Sequence, residues 1–125
     1  MTKTRSSVEE KQFFKIGDAS KIVGLPAYVL RFYEEQFPWI KPERTNGKQR
    51  LYSRRNIEDL LVIKQLVQVE GLTLDGVRSK LISMTRTGEL GQIRKEKSEP
   101  LRRYDEVETL KKIKRELQNI LNILK

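Results

Sequence analysis

Between Lys41 and Arg55 the chain places six cations (Lys41, Arg44, Lys48, Arg50, Arg54 and Arg55) against one acid, Glu43. Guanidinium and ammonium groups at that density suit the binding of phosphate oxygens. The full chain of 125 residues carries a formal net charge of +9, which also points to polyanions as partners. A basic run standing alone can equally be a solvated face. This one coincides with a hairpin signal and with the start of a helix, which favours phosphate contact. Covalent and metal chemistry are poorly supplied. The chain has no Cys and no His, which removes disulfides, structural zinc, thiolate sensing and Cys or His nucleophile–base pairs. The Asp, Glu, Lys, Tyr and Ser that remain form no catalytic motif, and the seven Gly residues are scattered rather than gathered in a phosphate-cradling loop. The sequence therefore reads as a non-enzyme without cofactor or metal.

The elements that would position the cations follow from hydrophobic spacing. Residues 1–12 are polar and read as a disordered tail. Phe13, Ile16, Ala19, Ile22 and Val23 recur at helical spacing, and Gly24 is placed to stop that helix. Pro26 suits the first turn of a second helix, because its missing N–H would be unpaired there. Leu30, Tyr33 and Phe37 form the inner face of this helix, while Ala27, Tyr28, Arg31 and Glu35 fall on the other side. Pro38 and Pro42 end the helical pattern. The stretch from Arg44 to Gln49 is a hairpin tip, with Asn46-Gly47 supplying positive φ angles, and Arg50-Leu51-Tyr52 is the return strand.

Ser53 caps a third helix with Ile57, Leu60, Leu61, Ile63, Leu66 and Val67 inward, stopped at Gly71. Arg54 and Arg55 lie in its first turn, where the helix dipole disfavours cations and a nearby phosphate would offset that cost. Thr73 caps a fourth helix carrying Leu74, Val77, Leu81 and Met84. Residues 85–100, with two Gly, a Pro and many charges, read as a linker. From 101 to 125 the apolar pattern returns, and Leu110, Ile113, Leu117, Ile120 and Leu124 fit heptad positions a and d. This helix would extend roughly 35 Å at 1.5 Å per residue. Its stripe can pair with a second copy as a coiled coil, or pack back on its own domain. The first 84 residues are expected to close their own core, which favours pairing.

The expected fold is mainly α. It is a winged helix-turn-helix of four helices and a small β-hairpin over 13–84, followed by a long C-terminal coiled-coil helix. Two short helices, a tight turn and a basic hairpin have one dominant use, laying a helix in a DNA groove and a ribbon along the backbone. No apolar run approaches the roughly 20 residues of a membrane span, and residues 1–12 lack the apolar stretch of a signal peptide. A cytoplasmic protein is expected, nucleoid-associated when bound, without membrane contact.

These residues have a recognisable order. The segment from Phe14 to Leu81 resembles the DNA-binding domain of the MerR (mercury-resistance-regulator) family of bacterial transcription factors. The resemblance is carried by Ile16-Gly17, Leu30-Arg31-Phe32-Tyr33-Glu34, Arg44 through Gly47, Arg50-Leu51-Tyr52-Ser53, Ile57 with Leu60, and Gly71-Leu72-Thr73-Leu74. It implies a homodimer, joined by an antiparallel C-terminal helix, on a pseudo-palindromic promoter whose DNA it distorts. Double-stranded DNA, a second copy of the chain and RNA polymerase are the implied partners. On that pattern Ala27 and Tyr28 read bases, and Arg31 and Tyr33 contact phosphate. Arg44, Lys48 and Arg50 grip the backbone from the wing, with Lys21 and Arg54 as further contacts. The alternative for Tyr33 is a core ring.

The chain departs from the family pattern in having Phe32-Tyr33 where two tyrosines are usual. It also opens the second helix with Leu25-Pro26 rather than a Ser or Thr cap, and its linker is long. Many family members carry an effector domain after the dimerisation helix, and none is expected in this chain. Two other readings remain open. One is an excisionase-like architectural protein that bends DNA; the other is a coiled-coil adaptor whose basic domain binds protein or anionic lipid.

Overall fold

The computed structural model describes residues 10–124. The elements in chain order are β1 (Phe13–Lys15), α1 (Ile16–Val23), α2 (Ala27–Gln36), β2 (Glu43–Arg44), β3 (Arg50–Ser53), α3 (Arg54–Lys64), α4 (Leu74–Thr87), α5 (Glu89–Glu96) and α6 (Glu99–Leu124). A π-helical turn, Gln65–Val69, continues α3 without a break. The architecture is mainly α, a winged helix-turn-helix with a long C-terminal helix, as the sequence pattern indicates. Most of the tail expected at 1–12 lies outside the described residues.

α1 ends where the backbone of Gly24 turns left-handed, at φ 80°, and its N–H donates to the Ser20 carbonyl. Lys64 Nζ, from α3, donates to the Val23 carbonyl at 2.7 Å and so caps the same end. Pro26 sits just before α2 as its cap residue rather than inside the first turn. Across the turn, Ser20 Oγ and the Leu25 carbonyl are hydrogen-bonded, which fixes α1 against the entry to α2. Ala19, Ile22 and Val23 of α1 and Leu30 and Tyr33 of α2 are buried in one core with Phe37, Ile40, Ile57, Leu60 and Ile63.

The wing differs from the two-stranded hairpin of the sequence pattern. Phe13–Lys15 is a strand, not the start of α1. It pairs antiparallel with β3, setting Phe14 opposite Tyr52, so the sheet order is β1-β3-β2. Alternation along the strand then buries Phe14 and leaves Phe13 exposed. At the tip, Lys48 N–H donates to the Thr45 carbonyl and Thr45 N–H to the Gln49 carbonyl. The left-handed residue is Lys48, at φ 61°, not Asn46 or Gly47. This is a three-residue loop, whose left-handed position follows the turn.

The remaining differences lie after Met84. Residues 85–100 are largely helical rather than a linker. α4 runs to Thr87, Gly88 reverses the chain at φ 81°, and α5 packs Leu90 and Ile93 against the core. Arg94 of α5 reaches Asp59 of α3 at 2.7 Å. Burial pushes the Asp59 carboxyl above its ordinary pKa, an effect that the hydrogen bond and charge of Arg94 oppose. The core also does not close by residue 84, because Leu101 of α6 is 1% exposed within it. From Leu110 onward every described side chain of α6 is exposed.

Gly24→Ala should destabilise the fold by about 1–2 kcal/mol, the cost of a Cβ in left-handed backbone. Its Cβ would also meet Lys64 Nζ at 2.9 Å, disturbing the cap. Urea unfolding of the two proteins measures the difference.

Candidate nucleic-acid interface

α2 divides its side chains sharply. Leu30, Tyr33 and the following Phe37 point into the core, whereas Tyr28 is 68% and Phe32 43% exposed. Arg31 and Glu35 are exposed and Ala27 is half-buried at the start of the helix. The Tyr33 ring packs 6.1 Å from Phe37 and 6.0 Å from Phe32, and burial raises its pKa. The core alternative therefore describes the Tyr33 ring.

β3 lies beside this helix, and one carboxylate joins them. Arg50 Nε donates to Glu34 at 3.1 and 3.3 Å, and Tyr52 Oη donates to the same group at 3.2 Å. Burial first, then the Glu34 charge and hydrogen bond, push the Tyr52 pKa up to about 12. The hydroxyl therefore keeps its proton and remains a donor. The Arg50 charge is half-buried and shared with Glu34, so its role is to hold the wing as much as to offer a contact. Between α2 and the wing lies a groove of about 500 Å³ lined by Tyr28, Val29, Arg31, Phe32, Glu35 and Arg50. Arg44 and Lys48 stand exposed on the wing.

Two expected contacts fall elsewhere. Arg54 is turned away from the groove. Its fork binds Asp105 of α6 at 2.7 and 3.3 Å, and it donates to the Lys11 carbonyl at 2.8 Å. The offset for its unfavourable place in the first turn of α3 is thus an internal carboxylate, not a phosphate. Lys21, in the last turn of α1, lines a separate groove with Tyr104, Val107 and Lys111 of α6.

Glu34 belongs to the family motif, but its tie to the wing is not evident in the sequence, where an acid on an exposed-looking helix reads as solvated. The signal available was its place one turn after Leu30, on the edge of the buried stripe. Asp59 and Asp105 carried no such signal, because their partners lie 35 and 51 positions away.

Residues 14–83 match the model of the MerR HTH family regulatory proteins. The chain belongs to the MerR family. It is 41% identical over 66 residues to the HTH-type transcriptional regulator CueR of Yersinia pestis, covering 53% of this chain and 47% of that protein. Against GlnR of Bacillus anthracis, another HTH-type transcriptional regulator, it is 33% identical over 86 residues, 69% of this chain and 65% of GlnR. A putative heat shock protein, HspR of Streptomyces coelicolor, is 37% identical over 70 residues, 56% of this chain and 46% of HspR. The matches thus span about half to two thirds of these relatives' lengths. The family match at residues 14–83 falls on the segment that builds the helix-turn-helix and wing.

Glu34→Ala should leave the Tyr52 hydroxyl and the Arg50 guanidinium without their acceptor, costing about 1–3 kcal/mol of stability. Amide exchange in β2 and the tip should accelerate more than exchange in α3, and both effects are measurable on one sample by hydrogen exchange.

Proposed function

We propose that the protein is a sequence-specific DNA-binding transcriptional regulator that acts as a homodimer on a pseudo-palindromic promoter site. The observation that carries this reading is the pairing of an exposed α2 face with an exposed basic wing across one groove. Tyr28 at the start of α2 stands where a helix in the major groove meets base edges, and its ring and hydroxyl offer both apolar and polar contact. Ala27 beside it is small enough to allow close approach. Arg31 offers a planar fork to phosphate. Arg44 and Lys48 extend the charge along the backbone, with Arg50 behind them. Lys21 is a peripheral contact, and Arg54 makes none, because Asp105 occupies its fork.

The second half of the proposal concerns α6. Leu110, Ile113, Leu117, Ile120 and Leu124 are between 45% and 76% exposed in the single chain. Apolar side chains repeating at that spacing on a bare helix are the seam of a coiled coil. Antiparallel pairing would put one DNA-binding domain at each end, which suits two half-sites related by a dyad. Distortion of the promoter and contact with RNA polymerase complete the reading. Among the described residues no helix is long and apolar enough to cross a membrane.

Selection of bound sequences from random duplex DNA tests the reading, with a palindromic consensus expected; equal affinity for all duplexes would refute sequence specificity. On the selected site, Arg31→Ala should weaken binding to all sequences alike and reduce the salt slope by roughly one unit per site contacted. Tyr28→Ala should instead relax base preference at its position, by about 1–3 kcal/mol of discrimination. Leu117→Glu places a charge in the seam and should yield monomers by light scattering, with loss of DNA affinity.

A further inference from the structure

We propose that the Arg54–Asp105 ion pair sets the angle at which α6 leaves its domain, and through that angle the half-site spacing a dimer accepts. The inference rests on the dimeric DNA-binding reading above. It makes Asp105 a positioning residue for sequence recognition, although it lies far along the chain from the groove-facing side chains.

α6 is attached to the domain by a short strip. Leu101 is 1% exposed in the core, Tyr104 meets the Phe14 ring edge-on at 5.6 Å, and the Asp105 side chain is 4% exposed. Open grooves of about 560 and 420 Å³ flank this strip, both lined by Tyr104. A helix perched on a narrow ridge between two grooves is free to tilt unless something pins it. The Arg54 fork is suited to that task. Two parallel hydrogen bonds to one carboxylate fix the plane of the pair as well as its length. Its Nη1 also donates to the Lys11 carbonyl just before β1, and its guanidinium lies 6.0 Å from the Phe14 ring. One side chain therefore joins α3, the strand β1 and α6. Three ion pairs among the described residues of α6, Arg102–Glu99, Arg103–Glu99 and Lys111–Glu108, are exposed and lie within the helix, so these cannot fix its direction.

The lever is long enough to matter. Leu117, near the middle of the apolar stripe, is 12 positions beyond Asp105, or about 18 Å along the helix. A tilt of about 10° at Asp105 would move that point about 3 Å, and a two-fold axis through the seam would double it to about 6 Å. One base pair is about 3.4 Å of duplex. Loosening the pair would therefore change the accepted spacing by one to two base pairs, or blur it, without altering any residue that touches DNA.

The test uses the full chain and a set of duplexes carrying two copies of the selected half-site at spacers stepped by one base pair. The proteins are wild type, Asp105→Asn, which keeps shape but removes the charge, and Arg54→Lys, which keeps a cation but loses the two-point fork. Sedimentation reports the dimer and circular dichroism the fold. Wild type should prefer one spacing over its neighbours by roughly tenfold or more, comparable to a mismatched base pair. Folded, dimeric Asp105→Asn should keep the half-site sequence preference while its spacing preference falls to about twofold or less. If Asp105→Asn fails to fold, Arg54→Lys is read in its place, with the same flattening expected. A folded, dimeric variant that retains the wild-type spacing optimum overturns this inference and leaves the dimeric reading intact. Wild type without any spacing optimum overturns the dimeric reading and this inference with it.

Discussion

The Glu34 carboxylate holds the recognition surface together. It sits on α2 and accepts hydrogen bonds from Arg50 and Tyr52 of β3. Those bonds fix the wing at one distance from the helix, so that Tyr28 and Arg31 of α2 and Arg50 of β3 line the same groove. β3 is in turn the central strand of the sheet and leads directly into α3 through the Ser53 cap, whose side chain accepts from the Asn56 N–H. Tyr52 is fully buried beneath the sheet, and the Phe14 opposite it meets Tyr104 of α6. A disturbance at Glu34 thus reaches both the basic wing and the root of the long helix.

The basic residues divide by what they face. Arg50, Arg54 and Arg94 have buried or half-buried carboxylate partners and act as ties between elements. Arg31 is exposed in the groove, and Arg44 and Lys48 are exposed on the wing. Breaking one partner of a buried pair strands the other charge, which costs more than losing a surface contact. Alanine substitution at Arg54 or Arg94 would therefore be read first in stability, and substitution at Arg31 first in binding.

Local rules made much of the fold legible. Gly24 ends α1, Ser53 and Thr73 cap α3 and α4, and Leu30, Tyr33 and Phe37 mark the inner face of α2, each through interactions within a few residues. Long-range pairing was less visible. Phe13–Lys15 fits a helical period with Ile16, yet β3 offers it a strand partner some 40 positions away and burial of Phe14 decides the conformation. The charged stretch 85–100 lacks a long apolar stripe, but Leu90 and Ile93 need only a small patch of core and Arg94 finds Asp59. Of the expected contact residues, Tyr28, Arg31 and Arg50 line the groove, and Arg44 and Lys48 are exposed on the wing. Arg54 is drawn away by Asp105, a partner that spacing along the sequence could not reveal.

A footprint on the selected duplex tests the central claim most directly, with hydroxyl-radical cleavage reporting the backbone and guanine-N7 methylation interference reporting the major groove. The expected pattern is two equivalent half-sites related by a dyad. Each should show interference in the major groove where α2 lies and backbone protection beside it where the wing runs. Protection of the backbone with no major-groove interference in either half-site would contradict the assignment of α2 as the reading element.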